Sequence, residues 1–313
     1  MVMNTRRKIS KPYLLVTGAN GLLGQKVVSR LMEKKSFGIL ATGRGACRLP
    51  QDWEGYIYRK MDTTDQGQIE HVFQEFKPQV VIHCASMTNV DLCETDQEQC
   101  YEQNVTAVSN IVEACEKYQT HLIHLSTDFI FDGKDGPYAE DAVPNPINYY
   151  GKTKLESEKI VQQSKLDWAI IRTALVFGIS HDMSRSNIIL WVKNALENGK
   201  ELQLVNDQFR TPTLAEDLAE GCILAAEKQA KGIFNISGKD FLTPYDMGVQ
   251  TAAFFGLDQT KIKKADSFSF TQTAKRPLKT GFIIDKAMKV LGYDPRSFEE
   301  GIAILAEQVN LAK

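Results

Sequence analysis

YLLVTGANGLLG, residues 13–24, changes character halfway along. Leu14, Leu15 and Val16 form a short aliphatic run, the pattern of a parallel strand covered on both faces. Gly18, Gly21 and Gly24 then recur every third residue, ahead of a helical pattern from Leu22 to about Lys34. A turn that tight needs residues without a Cβ, for its backbone angles and for close approach of a ligand. The helix that follows presents free N–H groups and the positive end of its dipole to the turn, where a pyrophosphate fits. Gly18, Asn20, Gly21, Leu22, Leu23 and Gly24 are therefore candidate contacts. The alternative is a plain strand-to-helix turn with glycines for packing, because a glycine pattern alone is weak evidence.

Outward from this stretch, strand and helix patterns alternate. Strands are expected at Phe37–Thr42, Tyr56–Lys60, Gln79–Cys84, His121–Leu125 and Ala169–Thr173, with helices at Gln66–Phe76, Asp96–Lys117 and Tyr149–Gln163. Repeated β–α units imply a doubly wound α/β parallel sheet with helices on both faces. Its ligands belong at the carboxyl ends of the strands, where TGANG, ASMTNVD and STDF all fall. After about Val176 the rhythm weakens. Helical segments at Asn187–Glu197, Leu214–Glu227, Tyr245–Phe254, Asp285–Leu291 and Phe298–Val309 alternate with short strands at Leu202–Val205 and Ile233–Ile236. The expected division is a dinucleotide-binding domain over 1–176, to which part of 207–237 returns, and a smaller lobe over 177–313.

Composition sets the class. The 313 residues are 43% hydrophobic and 24% charged, ordinary for a globular protein, and the net charge is −2. That charge gives no broad electrostatic case for nucleic acid or an anionic membrane. No apolar run has transmembrane length. The basic opening, MVMNTRRKISK, lacks the apolar core of a secretory signal and reads as a frayed tail. Six cysteines are scattered without a CxxC pair, which argues against structural zinc and, with no export signal, for the cytoplasm. Glu94, Glu140 and Asp141 are spaced like surface carboxylates, so no metal is expected.

The second strand's end bears on the choice of cofactor. In a dinucleotide fold an acidic residue there bonds the ribose 2′-hydroxyl of NAD, whereas an Arg accommodates the 2′-phosphate of NADP. Here the strand ends Ala41-Thr42-Gly43-Arg44. Arg44, or Arg48 behind it, suits a phosphate because the guanidinium donates in pairs; a surface Arg in a loop is the alternative. NADP(H) is the expected cofactor and NAD(H) the second choice. Asp62, after the third strand, is either an acceptor for the adenine amino group or a turn aspartate.

Tyr150 and Lys154 form Y-x-x-x-K in YYGKTKLESEK, a helical segment in which positions i and i+4 share a face. A phenol is a poor acid near neutrality, and a neighbouring ammonium favours phenolate. Such a pair can deliver a proton to a carbonyl oxygen as hydride reaches the carbon. Ser126 and Thr127, closing the strand HLIHL, offer a hydroxyl to hold that oxygen. Tyr56 and Lys60 match the same spacing in YIYRK, but that segment alternates like a strand, where four positions span about 13 Å.

The order G-x-x-G-x-x-G, STD, Y-x-x-x-K resembles the extended short-chain dehydrogenase/reductases, whose sheet is a Rossmann fold. VTGANGLLGQ, STDFIFDG, YYGKTKLESE, VNDQFRTPT and RPLKTGFIIDK resemble the dTDP-4-dehydrorhamnose reductase branch from about Tyr13 to the C-terminal helix. The resemblance implies that Thr127 positions the substrate carbonyl, that Tyr150 donates the proton, and that Lys154 lowers the tyrosine pKa and binds the nicotinamide ribose. By the same likeness Asn104 supports the lysine through water, and Ala85, Ser86 and Thr88 flank the cofactor. Substrate contacts extend by resemblance to Ser126, Asp128, Leu175, Asn187, Arg210 and Arg276, with Lys279 beside the last. A homodimer is compatible with the family.

Two departures bear on the substrate. RTALVF puts Leu175 where the branch commonly has an aromatic residue, and QFRTPT puts Arg210 where it has a glycine. Arg210 either binds a nucleotide phosphate or faces solvent. Arg276 is a diphosphate contact or part of a solvated basic loop. The implied activity is NADPH-dependent reduction of a 4-keto-6-deoxy sugar nucleotide. An epimerase or dehydratase of the same superfamily ranks lower, since Asp128 is followed by Phe129 and not by a second carboxylate. A non-catalytic regulator resembling the methionine adenosyltransferase β subunit is the reading from another class.

Overall fold

The computed structural model describes residues 11–181, 187–270 and 272–311, so residues 1–10 of the basic opening lie outside it. Seven parallel strands make the main sheet: β1 (Tyr13–Thr17), β2 (Gly38–Gly43), β3 (Tyr56–Lys60), β4 (Val80–His83), β5 (His121–Thr127), β6 (Trp168–Thr173) and Gly232–Asn235. Their spatial order is Gly232–Asn235, β6, β5, β4, β1, β2, β3. The chain therefore winds outward from β1 in one direction and returns to wind outward from β4 in the other. The reversal lies between β1 and β4, where Thr17 pairs with His83, and a crevice opens at such a switch point.

The aliphatic run of β1 is continuous because both faces are covered. Leu14 and Val16 pack with Val27, Val28 and Leu31 of the helix Leu22–Lys34 and with Leu218 of the helix Ala215–Glu227. Leu15 faces the other way, toward Ile69 and Phe73, Ile111, and Val161 of the helix Tyr149–Gln163. The expected doubly wound parallel sheet is thus present, and Tyr56 and Lys60 stand at the two ends of β3. On the outer side, Lys34 reaches Glu220 at 2.9 Å and Glu227 at 3.0 Å, tying the helix Leu22–Lys34 to Ala215–Glu227.

One local expectation changes, and one helix is new. The segment expected as one helix over Asp96–Lys117 is three pieces, Gln97–Tyr101, a π-helical turn at Glu102–Thr106 and Ala107–Tyr118. Asn104 sits in that wide turn with its side chain bonded to other elements, the kind of site where π turns occur. After β4 a short helix stands where the sequence pattern assigns no element: Val90–Thr95, capped by the Asn89 side chain, which accepts from Leu92 N at 3.2 Å.

In the smaller lobe the helices Ile188–Glu197 and Pro244–Phe254 enclose Leu202–Val205, which pairs in parallel with the unforeseen strand Ile262–Ala265. Val192, Leu196, Leu202, Leu204, Ala252 and Ile262 form its core. Among the described residues no helix is long and apolar enough to cross a membrane, and no group of three or more His, Cys, Asp or Glu is placed to hold a metal ion.

Candidate active site

Gly18 takes φ +64°, the left-handed region, and a Cβ there would lie 2.8 Å from Ala85 N. Only glycine lets the ends of β1 and β4 approach so closely. Gly21 N–H donates to Gly18 O at 2.9 Å, closing the turn. Gly21 is exposed, caps the helix Leu22–Lys34 without a side chain, and is followed by no carboxylate in the first turn. The early N–H groups, including those of Leu22 and Leu23, have no acceptor within the helix, so its positive end is open to an anion. Gly24 packs inward, with its Cα against Gly18 and Ala19.

Asn20 joins this turn to the loop after β2. Its amide donates to Ala46 O at 2.9 Å and to the Tyr58 hydroxyl at 3.0 Å, and its Oδ1 accepts from Arg48 N at 2.9 Å. Arg44 and Arg48 stand exposed on that loop, which Asn20 ties to the glycine turn. Asp62 accepts from Thr64 N at 3.0 Å and from the Thr64 hydroxyl at 2.9 Å, so at least Oδ1 serves a turn.

At the start of the helix Tyr149–Gln163, Asn148 accepts from Gly151 N at 2.8 Å. One helical turn apart, Tyr150 and Lys154 are both buried. The Tyr150 phenol packs with Met87, Cys93 and Cys100 and meets the Phe129 ring edge-on at 6.0 Å. Burial pushes its pKa up; the Thr127 hydroxyl works downward and the Asp128 charge upward. The expectation that Lys154 lowers the phenol finds no counterpart here: Lys154 is not among the influences on it, burial dominates, and the phenol stays protonated. Burial also lowers Lys154 to about 8, against the upward pull of Glu158.

Asn104 does not bond Lys154. Its Oδ1 accepts from the Ser86 hydroxyl and from Met87 N, both at 2.8 Å, while its Nδ2 donates to Met87 O at 3.0 Å and to the Thr153 hydroxyl at 3.2 Å. It fastens the loop after β4, where Ala85 abuts the glycine turn, to the helix carrying Tyr150. Thr88 is exposed beyond that loop.

The candidate substrate residues divide. Arg210 is buried, which corrects the expectation that it faces solvent. Its Nε lies 3.3 Å from Asp128 Oδ2, its Nη2 donates to Pro277 O at 2.6 Å, and its Nη1 donates to Leu278 O at 3.2 Å and Phe209 O at 2.7 Å. Arg276 is likewise engaged, donating to both oxygens of Asp91 at 2.6 and 2.5 Å. Asn187 caps the helix Ile188–Glu197, accepting from Leu190 N at 3.0 Å, and donates to Gly178 O at 2.9 Å. Leu175 is 43% exposed at φ +38°, an unusual backbone for leucine that holds its side chain out past the end of β6. Lys279 stands 5.9 Å over the Phe209 ring.

With this geometry in view, likeness to known proteins is informative. The family model of the RmlD substrate binding domain matches residues 12–311. The chain belongs to that family. The RmlD-type chain is 32% identical over 254 residues to the methionine adenosyltransferase 2 subunit beta of Xenopus tropicalis, covering 80% of this chain and 74% of that one. It is 30% identical over 295 residues to the probable low-salt glycan biosynthesis reductase Agl14 of Haloferax volcanii, covering 94% and 97%. The crystal structure of a dTDP-4-dehydrorhamnose reductase from Clostridium acetobutylicum superposes with TM-score 0.82 at 28% identity, over 95% of this chain and 99% of that one.

The RmlD-type site also holds residues that sequence reasoning missed. Thr17, His83 and His124 line one face of the sheet beneath Lys154. His83 Nδ1 meets the Thr17 hydroxyl at 2.9 Å, His124 Nε2 meets the Ser157 hydroxyl at 3.0 Å, and the rings stack at 5.8 Å. Burial, then the Lys154 ammonium, lowers His83 to about 3 and His124 well below its usual value, so both are neutral. Ser126 Oγ is buried without a partner among the described residues. Gln25 escaped notice as well. It accepts from His181 N at 2.8 Å and donates to Asn20 O at 3.2 Å. A polar residue on the buried face of an amphipathic helix was the only signal for it.

Proposed function

We propose that this chain is an NADPH-dependent reductase of the keto group in a nucleotide-linked 4-keto-6-deoxy sugar. The observation that carries the reading is the buried Tyr150 phenol, kept protonated and in contact with Thr127, one helical turn from a buried Lys154. The residues fit the cofactor. A Cβ at Gly18 would fill the cradle against Ala85, Gly21 leaves a helix N-terminus open for the pyrophosphate, and Arg44 and Arg48 offer paired donors to a 2′-phosphate. NADPH, when bound, supplies the hydride for the keto carbon. Tyr150 gives its proton to the carbonyl oxygen, and the Lys154 ammonium stabilises the phenolate left behind. Asn104 holds the loop of Ala85 and Ser86 against the helix carrying both groups.

A second reading is favoured by a specific observation. Arg210 and Arg276, two of the loop cations suited to a diphosphate, are spent on Asp128 and Asp91. With the likeness to methionine adenosyltransferase 2 subunit beta, this suits an NADP-binding regulator without turnover. The dehydratase reading stays lower, because Phe129 stands where a second carboxylate would be required.

The test is NADPH oxidation followed by absorbance with dTDP-4-keto-6-deoxy-L-mannose, with NADH in parallel. Rapid turnover that prefers NADPH is the expected result. Tight NADPH binding by calorimetry with no turnover on any nucleotide-linked keto sugar would sink the reductase reading in favour of the regulator.

A further inference from the structure

Residues 44–48 form an exposed, irregular loop between β2 and β3, yet two side chains hold its backbone from one side. The Tyr58 hydroxyl, on β3, donates to Gly45 O at 2.9 Å and lies 3.4 Å from Ala46 O. The Asn20 amide donates to that hydroxyl at 3.0 Å and to Ala46 O at 2.9 Å, while its Oδ1 accepts from Arg48 N at 2.9 Å. Both amide protons of Asn20 are thereby spent within the protein. Its main-chain carbonyl accepts from Gln25 Nε2 at 3.2 Å, and the buried Gln25 is bonded in turn to His181. Gly43 leaves the room this clasp needs. A Cβ there would lie 2.8 Å from the Tyr58 hydroxyl and 3.0 Å from Asn20 Nδ2.

The clasp decides which way the loop peptides face. A trans peptide points its C=O and N–H in opposite directions. With the Gly45 and Ala46 carbonyls turned toward Tyr58 and Asn20, the N–H groups of Ala46 and Cys47 point away from them. Among the described residues neither N–H has an acceptor, and neither the Arg44 nor the Arg48 guanidinium makes a hydrogen bond or ion pair. The loop carries no carboxylate. Consecutive free amides beside two free guanidinia suit an anion. The loop follows β2 at the carboxyl edge of the sheet, where the adenosine ribose of a dinucleotide meets the protein.

We propose that Asn20 and Tyr58 are positioning residues that set the choice between the two nicotinamide cofactors, by holding residues 44–48 in a shape that leaves these donors free for a ribose 2′-phosphate. Neither side chain has a proton left to give the phosphate; both act through the loop. Released from the clasp, the Gly45 and Ala46 carbonyls can turn outward and set their negative ends against the phosphate. The inference rests on NADPH being the cofactor, since NADH carries no phosphate at that position.

The experiment is calorimetric titration of the full chain with NADPH and with NADH, which differ only in the 2′-phosphate. It needs no sugar substrate and no turnover. The parent should bind NADPH about 10–100-fold more tightly, the worth of a charge-assisted contact. Tyr58→Phe keeps the ring and removes the hydroxyl. It should weaken NADPH about tenfold and leave NADH near the parent value. Asn20→Ala should lower the NADPH to NADH ratio at least as far. Adding Tyr58→Phe to it should cost little more, because the two side chains act through one network. The ratio is what separates positioning from mere structure, since a loosened glycine turn weakens both cofactors together. A Tyr58→Phe protein with the parent's ratio, or equal losses for both cofactors in both variants, overturns the proposal. Should Asn20→Ala not fold, the ratio in Tyr58→Phe decides alone. A parent that binds both cofactors equally defeats the NADPH reading and the proposal with it, whereas a parent that prefers NADPH upholds that reading even if the clasp variants change nothing.

Discussion

Glu158 and Arg172 meet as a two-point ion pair inside the protein, with Nε and Nη2 of the arginine 3.0 and 2.7 Å from the two carboxylate oxygens. Both side chains are almost wholly buried, and Arg172 also donates to Glu140 O at 3.0 Å. Glu158 lies one turn beyond Lys154 on the same helix. Glu158→Gln leaves the guanidinium uncompensated in the interior, a change that costs about 3–5 kcal/mol. Urea unfolding should register that loss as a lower midpoint at an unchanged slope.

Tyr150→Phe removes the proton donor and keeps the ring that packs on Phe129. Reduction should fall by about 10²–10⁴-fold, the usual worth of general acid catalysis. Calorimetric NADPH affinity should remain near the parent's. A variant that oxidises NADPH at the parent rate would remove Tyr150 from its role.

Lys154 gives a pH dependence with opposite signs for activity and stability. Its folded pKa is about 8 against 10.5 in the unfolded chain, because burial penalises the ammonium. The folded protein therefore loses that charge as pH rises through about 8, and kcat/KM should decline along that limb. Between those two values the unfolded chain binds more protons, so this group's contribution to stability grows with pH. Parallel rate and denaturation series from neutral to alkaline pH read both trends.

For Gly24→Ala two effects compete. Alanine favours a helix over glycine by about 1 kcal/mol. Its Cβ, however, would sit 2.6 Å from Ala19 Cα and against Gly18 O, both parts of the backbone that cannot swing away. Overlap of this kind costs about 1–3 kcal/mol and should win. Thermal unfolding should drop, with NADPH binding lost alongside because the distorted turn is the cradle.

Arg44→Asp tests the cofactor preference. Arg44 is exposed on the loop that Asn20 ties to the glycine turn. Losing a charge-assisted contact to a phosphate costs about 1.5–3 kcal/mol, so the affinity for NADPH should fall about 10–100-fold. NADH binding should hold or improve. If fluorescence titrations give an unchanged NADPH to NADH ratio, Arg48 becomes the phosphate contact.

Residue order alone was enough to specify the sheet and the chemistry at its edge. Leu14, Leu15 and Val16 are apolar without alternation because both faces of β1 are covered, and the spacing of Gly18, Gly21 and Gly24 is a local backbone demand. Tyr150 and Lys154 share a helix face by periodicity alone, and the strand character of Tyr56–Lys60 was enough to dismiss that matching pair. Local rules reach this far because they involve neighbours a few residues apart.

What the charges do emerges from the assembled fold. Arg210 was legible as a long cation in a loop; that it is buried against Asp128 requires two loops, 68 residues apart at Arg210 and Leu278, to close on the end of β5. Arg276 finds Asp91 across a separation of 185 residues. Burial likewise reversed the expected balance at Tyr150, since desolvation depends on everything packed around the phenol and on nothing in the Y-x-x-x-K spacing. Hydrogen-bond partners and dielectric surroundings are properties of the assembled fold, and residue order alone does not carry them.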